Sequence, residues 1–252
     1  MPKDGMNAIE ITDLGANNQI DIDPTVKAAR GVQISIHGRN NHLIIGQDTV
    51  LGGGIIELRN HDSSITIGTN CNLTGALRCR AVNSHIRIGN HTTMMGGQIT
   101  LHEAGMITLG EDCMLSGDIA MDVSDMHSIL DKETGERLNM PRDILIGDHV
   151  WLAQGARVMK GAQIGQDVIV GSRAMVLGTI PAHSLAVGAP ARVVRSGVTW
   201  DRRRLQPEKG LCEIEENVVQ RMRSLCPIEI FGLGQLTGFW VCAFASTSGS
   251  PG

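Results

Sequence analysis

Between residues 144 and 180 an aliphatic residue returns at every sixth position: Ile146, Leu152, Val158, Ile164, Val170 and Val176. Four places after each opener stands Val150, Ala156, Ala162, Val168, Ala174 or Ile180, always apolar and mostly small. Side chains on a strand alternate between faces, so the first and fifth places of a hexad point to the same side. One hexad then makes one flat side, three sides close a triangular coil, and coils stack backbone to backbone. The beat predicts an all-β fold, a parallel β-helix shaped as a triangular prism. A sandwich of short buried strands has no reason to keep six-residue time. Gly, Asn and Asp crowd the second to fourth places, where the chain must turn and φ turns positive.

Upstream the repeat lengthens. Leu43-Ile-Ile45-Gly46, Ile65-Thr-Ile67-Gly68, Ile86-Arg-Ile88-Gly89 and Ile107-Thr-Leu109-Gly110 follow one another after 22, 21 and 21 residues. Leu51, Leu73, Met94 and Leu115 open a second hexad in each, which gives coils of about eighteen residues with three or four added at one corner. The next recurrence, Ile144-Leu-Ile146-Gly147, comes after 37 residues. The surplus falls on a polar, turn-rich loop over 128–142, and a loop of that size in a regular solenoid is usually functional. Ser124-Asp125-Met126-His127 stands at its root. Residues 1–31 read as an N-terminal cap with short strands, 32–195 as the prism, and 196–231 as a C-terminal segment. In the last, Ile214, Val218, Val219, Met222 and Leu225 mark an amphipathic helix over 208–226 that closes the open end. Residues 232–252 read as an appended or partner-covered extension.

Composition fits this outline. Aromatic residues make up 2% of the 252 residues and Tyr is absent, as aliphatic ladders would require, while 31 glycines suit frequent turns. A net charge of −4 without a basic block gives no reason to expect nucleic acid. No apolar leader opens the sequence and no run reaches membrane-spanning length, so a cytoplasmic protein is expected. Six cysteines without a CxxC pair suggest reduced thiols.

Two residues point to chemistry. Trp151 holds the sixth place of its hexad and faces outward, and at steps of eighteen Ile169 and Val187 share that side. Such an apolar stripe calls for cover by a neighbouring subunit or a ligand. His127, at the loop root, is the residue type suited to take a proton near neutral pH. Its second ring nitrogen needs a partner, for which Asp125, Ser124 or a backbone carbonyl is available.

The hexads, the ending Ile180-Pro181…Gly188-Ala189-Pro190-Ala191-Arg192, and His127 with Trp151 resemble the left-handed β-helix acyltransferases of the hexapeptide-repeat superfamily, over roughly residues 32–195. A narrower set is similar to the bacterial capsule polysaccharide and sialic-acid O-acetyltransferases: Ser124-Asp-Met-His-Ser-Ile, Thr134-Gly135, Asn139 and Ile146-Gly-Asp-His-Val-Trp151. The resemblance implies a left-handed coil, against the usual right-handed crossover. It implies transfer of an acetyl group from acetyl-CoA to a sugar hydroxyl of a surface polysaccharide, without an acyl-enzyme. His127 would be the base, oriented by Asp125, and Trp151 would lie beside the reacting groups. Three prisms would form a homotrimer with acetyl-CoA in the clefts between protomers. Gln154 and Gly155 would line the pantetheine arm, Ser172 its end, and Arg192 and Arg195 the nucleotide phosphates, which the guanidinium fork suits.

One departure from that pattern is Leu177-Gly178-Thr179, where many relatives carry a Thr-Lys pair. Arg202, Arg203 and Arg204 read as a solvated exit segment. No metal is expected. Carbonic-anhydrase relatives on the same fold use a close histidine pair five apart, and here Lys132 stands five after His127. The alternatives are an acetyltransferase acting on a small sugar or nucleotide-sugar, such a metal-dependent enzyme despite Lys132, and a structural or binding prism.

Overall fold

The computed structural model describes residues 9–206. One compact unit ends at Asp201 and a second begins at Arg202, whose described residues, 202–206, form neither strand nor helix. The helix expected over 208–226 and the extension over 232–252 lie outside the described residues. Those described form twenty-three short strands and no helix, wound into a parallel β-solenoid of about 8 turns.

Three faces make the prism. The first runs from strand Lys27–Ala28 to Ser184–Val187, the second from Glu10–Asp13 to Met175–Val176, and the third from Gln19–Ile22 to Thr179–Ile180. Each face contributes an inward ladder in direct register. On the third it is Ile22, Ile45, Ile67, Ile88, Leu109, Ile146, Ile164 and Ile180. On the first it is Ala28, Leu51, Leu73, Met94, Leu115, Leu152, Val170 and Ala186. On the second it is Ile34, Ile56, Leu77, Ile99, Met121, Val158 and Val176. All but Ile22 are buried, and each large rung contributes about 1.5–3 kcal/mol through removal from water. Rungs stacked at strand spacing leave little room for rings, which accounts for the aromatic depletion. The small fifth-place residues Val150, Ala156, Ala162, Val168 and Ala174 fill the inner corners at 0% exposure.

Ile180 is the exception among the fifth places. It joins the third-face ladder below Ile164, sixteen residues on rather than eighteen. The last coil is therefore two residues short, and the outward row Trp151–Ile169 continues to Leu185, not to Val187.

Corner lengths differ around the prism. From the third face to the first the step is six residues in every coil, as in Ile45 to Leu51 and Ile164 to Val170. From the first to the second it is six below (Leu152 to Val158) but five from Leu51 to Ile56 and four from Leu73 to Leu77. From the second to the third it is six from Val158 to Ile164 but eleven from Ile56 to Ile67 and from Leu77 to Ile88. The three or four residues added per upper coil are thus the net of one shortened and one lengthened corner. Glycine permits the shortening. Gly54, Gly75 and Gly97 hold φ of 113°, 134° and 133°, and a Cβ on them would stand 1.8, 2.5 and 2.2 Å from a carbonyl oxygen of the next coil.

The column also starts earlier than the sequence pattern suggests. Glu10–Asp13 and Gln19–Ile22 pair in parallel register with Gln33–Ile36 and His42–Ile45, so residues read as a cap supply the first coil. At the far end Arg192–Ser196 folds back antiparallel on Ser184–Val187. Cys71, Cys79 and Cys113 lie in the interior, and burial pushes the Cys79 thiol up to about 12.

Candidate active site

The inserted loop leaves the second face after Asp122 and re-enters the third at Ile144. It doubles back as a short hairpin. Leu130 bridges Arg137, the Leu138 N–H donates to the Ile129 carbonyl at 2.8 Å and Asp131 N–H to the Glu136 carbonyl at 2.8 Å. At the tip the Asp131 carboxylate accepts the N–H groups of Glu133 and Thr134 at 2.9 and 2.8 Å, a local turn that Asp favours.

The root is held by charge. Arg137 forks onto Glu103 through two bonds of 2.6 Å, and the Ser124 hydroxyl donates to the same carboxylate. These contacts hold Glu103 down at about 2, and Glu103 in turn raises the Arg137 guanidinium. Lys160, one coil below, donates to Asp125 at 2.5 Å and to the Asn139 carbonyl at 3.0 Å. The Lys160 ammonium first and Asn139 second lower the Asp125 carboxyl.

Buried Asn139 ties the strands of the loop together. Its amide donates to Asp125 at 2.8 Å and to the His127 carbonyl at 2.7 Å, and its oxygen accepts Ile129 N–H at 2.7 Å. The His127 N–H donates to the Asp125 carbonyl at 2.7 Å. Met126, just before it, holds a left-handed φ of 64°, a conformation costly for such a side chain. The backbone at His127 is therefore fixed from both sides while the residue is exposed. Asp125 and Ser124, the two side chains available to hold the ring, bond instead to Lys160 and Asn139 and to Glu103. Glu103, Arg137 and Lys160 carry no local sequence signal, since they meet partners 34, 34 and 35 residues away.

Trp151 opens its strand on the first face, between Met114 and Ile169 in register, with its indole N–H 3.4 Å from the Ser116 hydroxyl. A second indole that the periodicity did not mark lies beside it. Trp200 stands 6.1 Å from Trp151. It stacks on His149 at 4.2 Å and donates to the His149 carbonyl at 2.8 Å. His149 meets Asp167 at 2.7 Å, and hydrogen bonds from Thr199 and then His149 lower the Asp167 carboxyl.

Gln154, Gly155 and Ser172 lie at the corner between the first and second faces. Gly155 takes φ 74° there, and the Arg173 N–H donates to the Gln154 carbonyl one coil above. Arg192 and Arg195 project from the antiparallel strand, opposite Val187 and Leu185. The first face thus gathers Trp151, the cofactor candidates and both arginines on one side. His127 is not among them: it sits at the corner between the second and third faces, and the full width of the third face separates it from Trp151 within one chain. Among the described residues no three His, Cys, Asp or Glu side chains gather as a metal-ligating group.

No protein-family model matches the chain. The polysialic acid O-acetyltransferase of Neisseria meningitidis is 33% identical over 147 residues, which cover 58% of this chain and 68% of that protein. The polysialic acid O-acetyltransferase of Escherichia coli O1:K1 / APEC is 29% identical over 119 residues, 47% of this chain and 39% of that protein. The crystal structure of the polysialic acid O-acetyltransferase OatWY superposes with a TM-score of 0.72 at 27% identity, covering 82% of this chain and 98% of that one. That of the polySia-specific acetyltransferase NeuO gives 0.66 at 23% identity, a likeness of fold alone. The solenoid together with these likenesses defines an enzyme, a hexapeptide-repeat acyltransferase. Within that class the chain belongs to the family of the polysialic acid O-acetyltransferases.

Proposed function

We propose that the chain moves an acetyl group from acetyl-CoA to a hydroxyl of polysialic acid, a bacterial surface polysaccharide, with His127 as general base. The observation that carries this reading is the loop root, where Asn139, Asp125 and Lys160 fix the backbone around an exposed His127. In this scheme His127 takes the hydroxyl proton as the sugar oxygen attacks the thioester carbonyl and forms the new C–O bond. Collapse of the adduct breaks the C–S bond, and the CoA thiolate leaves with the proton returned by His127, so no acyl-enzyme forms. Asp125 acts through the loop it anchors.

The names of the relatives support polysialic acid as acceptor. The first face supports the cofactor assignment: the pantetheine arm lies along Gln154 and Gly155, Ser172 meets its end, and Arg192 and Arg195 face the phosphates. Because His127 and Trp151 stand at different corners of one prism, the reaction centre is completed by a neighbouring copy, and we assign a homotrimer with its sites in the clefts. Met126, Ile129, Leu130, Leu138 and Met140 support that assembly, since each is more than half exposed on the loop and so much apolar surface calls for cover. The enzyme works in the cytoplasm, the compartment that supplies acetyl-CoA.

Substituting His127→Ala tests the reading. Turnover on polysialic acid falls at least about 100-fold, while thermal stability is unchanged. A folded variant that keeps its turnover overturns the assignment.

A further inference from the structure

Away from the loop root, one cluster holds more charge than its partners neutralise. Glu57, 7% exposed on the outward side of the second face, is met by Arg59 at 2.9 Å, Arg80 at 3.1 Å and Arg78 at 4.0 Å. Three positive charges less one negative leave two uncompensated, on side chains 53%, 33% and 26% exposed. Like charges held together repel, and each guanidinium offers five N–H donors where Glu57 supplies only two oxygens between them. A further carboxylate would satisfy both deficits through short charge-assisted bonds.

The cluster has a direction. Glu57, Arg78, Thr100 and Asp122 form one outward row in register. Arg59 and Arg80 follow in the next row, as their N–H bonds to the carbonyls of Cys79 and Leu101 show. That row continues through His102 to Ser124 at the loop root, so two coil steps, roughly 10 Å at strand spacing, separate Arg80 from the root. The acidic groups on the way are already matched: Asp122 by His102, Glu103 by Arg137 and Asp125 by Lys160. Arg78 also lines an open groove of about 690 Å³ that follows the glycine-shortened corner past Gln98 and Ala120.

We propose that Arg59, Arg78 and Arg80 form a binding site for the carboxylates of a linear acidic glycan, holding the polymer on the second face so that its hydroxyls reach His127. This rests on the acetyl-transfer reading for its substrate but makes a separate claim about where the polymer lies. Glu57 then has a defined part: it clamps the three arginines and competes with the incoming carboxylate.

Two variants with opposite signs test this. In Arg78→Gln/Arg80→Gln the KM for long polysialic acid rises about tenfold and binding loses much of its salt dependence, with the KM for acetyl-CoA unchanged. In Glu57→Gln, which keeps all three cations, the KM for the polymer falls. Titration of the full chain with polysialic acid and with neutral dextran reads binding apart from turnover. A folded double variant with unchanged polymer KM and unchanged polymer binding overturns the site, as does equal binding of dextran. Should the wild type bind polysialic acid through these arginines and yet transfer no acetyl group to it, the reaction fails and the site stands. Turnover with no dependence on Arg78 and Arg80 gives the reverse.

Discussion

The upper and lower coils of this prism enclose the same three ladders with different lengths of chain. Below Ile144 the steps from face to face are six residues, save for the shortened last coil, and the inner corners hold Val and Ala. Above Asp122 the corner from the first face to the second contracts to four or five residues on glycine in the three coils that pass Leu51, Leu73 and Met94, and the corner from the second to the third expands to ten or eleven. Inner corners there hold polar groups, such as buried Asn41, which donates to the carbonyls of His37 and Asn60 at 2.8 Å each. The lower coils show what the architecture requires, and the departures above show where it can be spent on surface. The corner that lengthens in each upper coil also carries the long loop with His127 and, in earlier coils, Arg59 and Arg80.

The contrast can be broken at its tightest point. Gly97→Ala would set a Cβ 2.2 Å from the Ile119 carbonyl oxygen at a φ of 133°, so a loss of about 2 kcal/mol or more is expected by chemical denaturation. Gly155→Asn, at the same corner of a lower coil with φ 74° and only the flexible Arg173 side chain at 3.1 Å, should cost under about 1 kcal/mol, because Asn tolerates the left-handed region. Equal losses would mean that the two corners are not built differently.

The loop can be loosened without touching the ladders. Asn139→Ala removes the bonds to Asp125, Ile129 and the His127 carbonyl, and kcat is expected to fall about tenfold through misplacement of the proposed base, His127. An unchanged kcat would show that the root does not position it. The smallest effect is one of pH. Glu103 is held at about 2 against an ordinary 4.5, so its contribution to the loop is complete above 4.5 and is lost as pH falls from there toward 2. Asp125 shifts in the same direction. Hydrogen exchange at Ile129 and Leu138, corrected for intrinsic rates, should quicken across that window while Ile67 and Ile88 stay protected. Constant protection at the loop would contradict the linkage.

Much of this architecture is legible in the chain because a rung is a local matter: Ile146 or Val170 need only face inward at the right count. The outward position of Trp151 followed from the same count. Ile180 and Leu185 escaped it, because two residues drop out between Val176 and Ile180, where an aliphatic residue still falls in the fifth place and hides the loss. The residues of the loop root were half legible. His127 and Asn139 stand within one segment, whereas Glu103 and Lys160 reach it from the coils above and below, and a contact between coils leaves no mark on a one-dimensional pattern. Trp200 is of the same kind, placed by a return of the chain that sequence spacing does not foretell.

The antiparallel return of Arg192–Ser196 has a consequence for assembly. A wholly parallel column exposes at its last coil a template that would accept another molecule's first turn end to end, the geometry of a fibre. A strand of opposite polarity laid across that template, kinked between Leu185 and Ala186 and carrying two arginines, presents the wrong hydrogen-bond pattern for such growth. End-to-end growth on that strand of the last coil is thereby disfavoured.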